Sequence, residues 1–103
     1  MKEIRIWVDD CRPAPAGYYS RTSVNAAIGL IHNCMRKGIK IALLDLDHDA
    51  GEFADRGGDY IKILDWMERE GINDIPIRIH SMNPVGVANM RSIIKKNGWM
   101  EIR

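Results

Sequence analysis

Ile39-Lys40-Ile41-Ala42-Leu43-Leu44-Asp45-Leu46-Asp47-His48-Asp49 decides the fold. The run is almost wholly apolar from 39 to 44 and then turns abruptly acidic. A strand without polar alternation is one buried on both faces, as in a parallel sheet. Two other segments repeat the pattern. Ile4-Arg5-Ile6-Trp7-Val8 runs into Asp9-Asp10, and Ile75-Pro76-Ile77-Arg78-Ile79 runs into His80-Ser81-Met82-Asn83. In an open parallel sheet the strand carboxyl ends share one edge, and ligands bind in the crevice there. The three polar segments are therefore expected to converge on one site.

Between these runs lie helical patterns. Thr22 or Ser23 caps a first helix with the stripe Val24, Ala27, Ile28, Ile31, Met35, closed by Lys37-Gly38. Asp59 is expected to cap a second, with Tyr60, Ile63, Leu64 and Met67 inward and Gly71 at its end. Asn83-Pro84, a cap followed by proline at the first helical position, opens a third, which Asn97-Gly98 stops. Tyr18-Tyr19-Ser20-Arg21 and Trp99-Met100-Glu101-Ile102 read as short strands. The sum is an α/β domain of five mainly parallel strands and about three helices. Right-handed crossovers place the helices on both faces, in three layers.

At 103 residues the chain is a single domain, residues 1–103, able to build a core without disulfides. Its net charge of +1 carries no strong basic surface for nucleic acid at the level of the whole chain. No apolar run approaches the ~20 residues of a membrane span, and the N-terminus opens a charged strand rather than a signal peptide. Cys11 and Cys34 form no CxxC and read as reduced thiols, which points to the cytoplasm.

The site segments each carry a functional and a structural reading. Asp9-Asp10 offers hard oxygens suited to Mg²⁺, or simply a turn whose charge Arg12 offsets. Asp45, Asp47 and Asp49 fall on one side of an extended chain. Three carboxylates behind a buried strand are costly unless used, because desolvating an unpaired carboxylate is unfavourable. His48 suits general acid–base work or anchors the loop. His80 and Ser81 stand where a strand meets a helix N-terminus, a place that attracts phosphate. Asn83 is explained by its cap alone. Trp7, Trp66 and Trp99 read as packing groups, and the methionines as gap fillers.

These residues suggest a family. An acidic pair after the first strand, an aspartate after the next buried one and a serine after the strand following it resemble the response-regulator receiver fold. More specifically, Trp7-Val8-Asp9-Asp10-Cys11-Arg12-Pro13-Ala14-Pro15, Leu46-Asp47-His48-Asp49 and His80-Ser81-Met82-Asn83-Pro84-Val85-Gly86 with Ala88-Asn89-Met90 resemble the cyclic-phosphate processing receiver-like domains. The likeness implies a flavodoxin-like domain that processes cyclic or terminal phosphates of nucleotides or RNA ends. The positions matching its motifs are Asp9, Asp10, Asp47, His48, Asp49, His80, Ser81 and Asn83. A signalling receiver also has a lysine after its fifth strand and a further helix, neither of which follows Glu101-Ile102-Arg103 here. The register leaves open whether Asp45 or Asp47 takes the phosphoacceptor place.

The expectation is a metal-assisted phosphoesterase. Asp9, Asp10, Asp47 and Asp49 would hold Mg²⁺ or Mn²⁺. His48 and His80, with Asp47, would carry the chemistry, and Arg12, Ser81 and Asn83 would hold phosphate. The partner is then a phosphate-containing small molecule or an RNA end. The alternative is a non-catalytic receiver-like signalling or phosphate-binding module, with Asp45 as a possible acceptor.

Overall fold

The apolar runs do become strands, and all of them pair in parallel. The computed structural model describes residues 2–103. In chain order it contains β1 (Glu3–Val8), β2 (Tyr18–Arg21), α1 (Val24–Arg36), β3 (Lys40–Leu46), α2 (Ile61–Glu70), β4 (Ile77–Ile79) and α3 (Pro84–Asn97), with one 3-10 turn at Gly51–Phe53. The strand order is β2-β1-β3-β4. This is the expected α/β architecture with a parallel sheet and three helices. No helix among the described residues is long and apolar enough to cross a membrane.

Two details differ from the sequence-based expectation. The sheet has four strands rather than five. The segment after α3 contributes a single parallel bridge, Glu101 beside Ile77, flanked by bonds from Ile77 N–H to Met100 O and from Ile102 N–H to Ile77 O. β4 itself is short, because Pro76 has no N–H to give a ladder.

The second difference is the placing of the helices. The steps β2 to β3, β3 to β4 and β4 to Glu101 all move across the sheet in one direction. Right-handed crossovers then put α1, α2 and α3 on one face. The only step in the opposite direction, β1 to β2, is made by the proline loop over residues 9–17 and has no helix. The other face of the sheet is bare. This explains why β1 alternates: Ile4, Ile6 and Val8 are buried toward the helices, whereas Glu3 and Arg5 are exposed and Trp7 is half-buried.

The core lies between that one sheet face and the helices. It holds Ile6, Val8, Leu44, Leu46 and Ile77 from the strands, all fully buried, against Ala27, Ile31, Ile63, Leu64, Met67, Met90 and Ile94. In α1 the inward place near the C-terminus belongs to Cys34 rather than Met35, which is exposed. Glycines in the left-handed conformation end α2 and α3, at Gly71 and Gly98, as the sequence suggested. Asp59 does not cap α2. Its Oδ1 instead accepts the Ala50 N–H at 2.9 Å and ties down the loop after β3.

Tyr60, fully buried, donates its hydroxyl to Thr22 O at 2.7 Å and so fastens α2 to the start of α1. Burial, with nearby carboxylates, raises its pKa and keeps the phenol a donor. Tyr60→Phe leaves the Thr22 carbonyl without that donor and is expected to cost about 1 kcal/mol in urea unfolding.

Candidate functional site

Because every strand is parallel, the residues that follow β1, β3 and β4 meet at one edge. Asp10, Cys11, Arg12, Asp47, Asp49, Ser81, Met82 and Asn83 line an open cavity of about 490 Å³ there. All three expected segments contribute to it.

The carboxylates divide into two groups. Asp9 is buried and saturated with donors. Its Oδ1 accepts the N–H groups of Cys11 at 3.0 Å and Arg12 at 2.9 Å. Its Oδ2 faces Arg12 Nε at 3.0 Å and His80 Nε2 at 2.9 Å. Burial alone would push its pKa up, but the two amides, His80 and the Arg12 charge together hold it below the ordinary carboxylate value. A depressed folded pKa stabilises the fold above the ordinary Asp value of ~3.9, and that contribution is lost only as pH falls through the folded value. Asp45 is also buried, 1 % exposed, and bonds His80 Nδ1 at 2.7 Å. Its Oδ2 has no hydrogen-bond partner, and the nearest cation is Arg78 Nη1 at 4.0 Å.

His80 therefore has a carboxylate on each ring nitrogen. Trp7 lies flat on this ring, with centroids 3.8 Å apart and planes 5° apart, and donates its indole N–H to Arg12 O. Arg12 in turn donates to His80 O at 3.0 Å and stands 3.5 Å from Asp47 Oδ2. Asp9, Asp45, His80, Trp7 and Arg12 thus form one braced unit behind the cavity.

Asp10, Asp47 and Asp49 form the second group and line the cavity itself. Asp10 packs against Gly51, where φ is +54° and a Cβ would stand 2.4 Å from Asp10 Oδ2. Asp47 Oδ1 accepts the His48 N–H at 2.8 Å. Asp49 Oδ1 lies 2.8 Å from His48 Nδ1, and both its oxygens are 3.4 Å from Asn83 Nδ2. Among the described residues nothing bonds His48 Nε2, and the ring rests on Gly86 in the first turn of α3. The Asp10 charge, followed by burial, raises the Cys11 thiol pKa.

Asn83 caps α3 as expected, its Oδ1 accepting Gly86 N–H at 3.0 Å. The Gly86 and Val87 amides are both taken by Asn83, so less of this helix end faces a ligand than the sequence suggested. Ser81 Oγ accepts Asn83 N–H at 3.0 Å, leaving its own proton to donate. Metal-capable atoms come within 4.8 Å of one another in two groups, Asp9 with Asp10 and Cys11, and His48 with Asp49 and Asp59.

The sequence pointed to every polar member of this site except Asp59. It missed Trp7 as a partner of His80 and the tight fit of Gly51, whereas the close approach at Gly86, one turn into the third helix, was a sequence expectation. The period of two along a strand holds the signal for the first. Trp7 and Asp45 are register neighbours, Arg78 lies beside Asp45, and His80 is two residues beyond Arg78.

A family model described as the cyclic-phosphate processing Receiver domain matches residues 4–96. No curated protein and no solved structure matches the chain.

Proposed function

Since the chain belongs to the cyclic-phosphate processing receiver domains, we propose that it hydrolyses a cyclic phosphate ester in the cavity at the carboxyl edge of its sheet. The observation that supports this is the meeting of three carboxylates, Asp10, Asp47 and Asp49, with the hydroxyl of Ser81 in one cavity, and a histidine bonded to one of them.

In this reading His48 is the acid–base group. Asp49 fixes its Nδ1, so Nε2 is left to take a proton from water and return it to the leaving ester oxygen. Arg12 and Ser81 hold the phosphoryl oxygens, and Asn83 orients Asp49. Asp9, Asp45 and His80 bond one another behind the cavity, do not line it, and in this reading position Arg12 rather than touch substrate. A divalent ion such as Mg²⁺ or Mn²⁺ would be held by Asp10, Asp47 and Asp49, hard oxygens that line one cavity and would have to close on it, since the atoms already within 4.8 Å of one another are those of Asp9, Asp10 and Cys11 and of His48, Asp49 and Asp59. Such an ion, when bound, offsets phosphoryl charge.

The test is incubation with a panel of 2′,3′-cyclic nucleotides and Mg²⁺ or Mn²⁺, alongside melting curves with and without the ion. Turnover is expected for wild type and not for His48→Gln. The ion is expected to raise the melting temperature of wild type but not of Asp47→Asn. Absence of turnover across the panel overturns the reading.

One observation favours a second reading. Asp47 opens on the cavity whereas Asp45 is enclosed, so a phosphoacceptor in a non-catalytic receiver would be Asp47. A one-phosphoryl mass gain with acetyl phosphate, lost in Asp47→Asn, supports that module instead.

A further inference from the structure

The proposed chemistry does not use the bare sheet face. Register and contacts fix which strand residues it carries. β2 gives Tyr18 and Ser20, β1 gives Glu3, Arg5 and Trp7, β3 gives Lys40, Leu43 and Asp45, and β4 gives Arg78. Of the charged groups, Asp45 is buried and held by His80, so the exposed ones are Lys40, Arg5 and Arg78 against Glu3 alone.

The rings on this face form a row. The Arg5 guanidinium sits 5.2 Å over the Tyr18 ring. Tyr18 meets Trp7 edge-on at 5.9 Å, and Trp7 stacks on His80. From there Arg12, whose side chain is 42 % exposed, bonds His80 O and lines the cavity. A strip of aromatic and cationic groups thus crosses the sheet from β2 and ends at the cavity mouth.

Resting on the cyclic-phosphate reading above, we propose that this face binds single-stranded RNA and leads its 3′ end into the cavity. Charge complementarity selects a polyanion. The flat rings select unpaired bases, which stack on aromatic groups whatever their sequence. A second copy of the chain is disfavoured, because a two-fold pairing would bring together two faces of the same net positive charge. A 2′,3′-cyclic phosphate joins neighbouring ribose oxygens, so a strand that carries one is RNA.

The test uses a 5′-fluorescein 12-nucleotide RNA ending in a 2′,3′-cyclic phosphate, followed by anisotropy, with its duplex as comparison. Wild type is expected to bind the single strand more tightly than the duplex. With Arg5 and Arg78 each meeting a phosphate, a single-strand slope of about −0.7 per contact gives about a sevenfold loss between 50 and 200 mM salt. Tyr18→Ala is expected to weaken binding about fivefold or more, given the usual value of stacking one base. Arg5→Glu is expected to weaken it and flatten the salt dependence. Both residues lie outside the cavity, so turnover of a cyclic mononucleotide stays at the wild-type rate, and circular dichroism confirms that the variants fold. Equal binding by wild type and both variants overturns the inference, as does sedimentation showing a dimer that Arg5→Glu dissociates. The two proposals fail separately. Mononucleotide turnover without RNA binding removes only the surface. RNA binding lost in Arg5→Glu, without any turnover, supports the surface and removes the hydrolase reading.

Discussion

His80→Leu is expected to destabilise the fold by about 3–5 kcal/mol, the cost of leaving a buried charge without its partner. The substitution removes one of four donors from Asp9, but among the described residues it removes the only hydrogen bond to the Asp45 carboxylate. Arg78, 4.0 Å away and half exposed, does not replace it. For a domain of this size each kcal/mol corresponds to about 4–8 °C, so the melting temperature should fall by more than about 12 °C. The discriminating measurement is the double variant. Asp45→Leu added to His80→Leu removes the stranded carboxylate and should recover about half or more of the loss, since matched apolar replacements of a buried pair are close to neutral. Urea unfolding of the two singles and the double gives the coupling. A single-variant cost below about 1 kcal/mol, or strictly additive losses, would show that the pair contributes nothing.

Gly86→Ala should run against helix propensity. In an exposed helix interior alanine is favoured over glycine by about 1 kcal/mol. Here the new Cβ would fall 2.4 Å from His48 Cγ and 2.6 Å from Cδ2. The ring has to move, and overpacking of this kind costs about 1–3 kcal/mol. Moving it also breaks the 2.8 Å bond to Asp49, so turnover of any cyclic substrate should fall about tenfold or more. Gly29, inside α1 with nothing within 4 Å of its would-be Cβ, supplies the control. Gly29→Ala should stabilise the protein, and Gly86→Ala should destabilise it. The same sign for both would refute the packing argument.

The parallel sheet, the Asn83 cap, the glycine stops and the cavity segments were legible because each rests on a local signal, whereas Asp59 was drawn from its expected cap by the Ala50 amide. Apolar runs of strand length, Asn83 before Pro84, and Gly71 and Gly98 after helical stripes are all read within one turn or one strand. The carboxylates were legible as a set but not as two groups. Nothing within Asp9-Asp10 says that the first turns inward onto Arg12 and His80 while the second opens on the cavity. That division follows from strand alternation together with the register of β1 on β3, which is a long-range property. The fifth strand failed for a similar reason. Trp99-Met100-Glu101-Ile102 has strand-like residues, but Trp99 joins the core and Arg91 holds Glu101 at 2.7 Å, leaving one bridge.

β2 stands at the sheet edge with none of its four residues buried. The core around Ile6, Leu44 and Ile77 is built by the other strands and the helices. Local opening is easiest where little apolar surface is buried, so β2 is expected to fray while that core stays folded. Its last rung carries the bond from Asp9 N–H to Arg21 O. Fraying at this edge is therefore expected to loosen the backbone that holds the saturated carboxylate, which hydrogen exchange at the Asp9 amide would report.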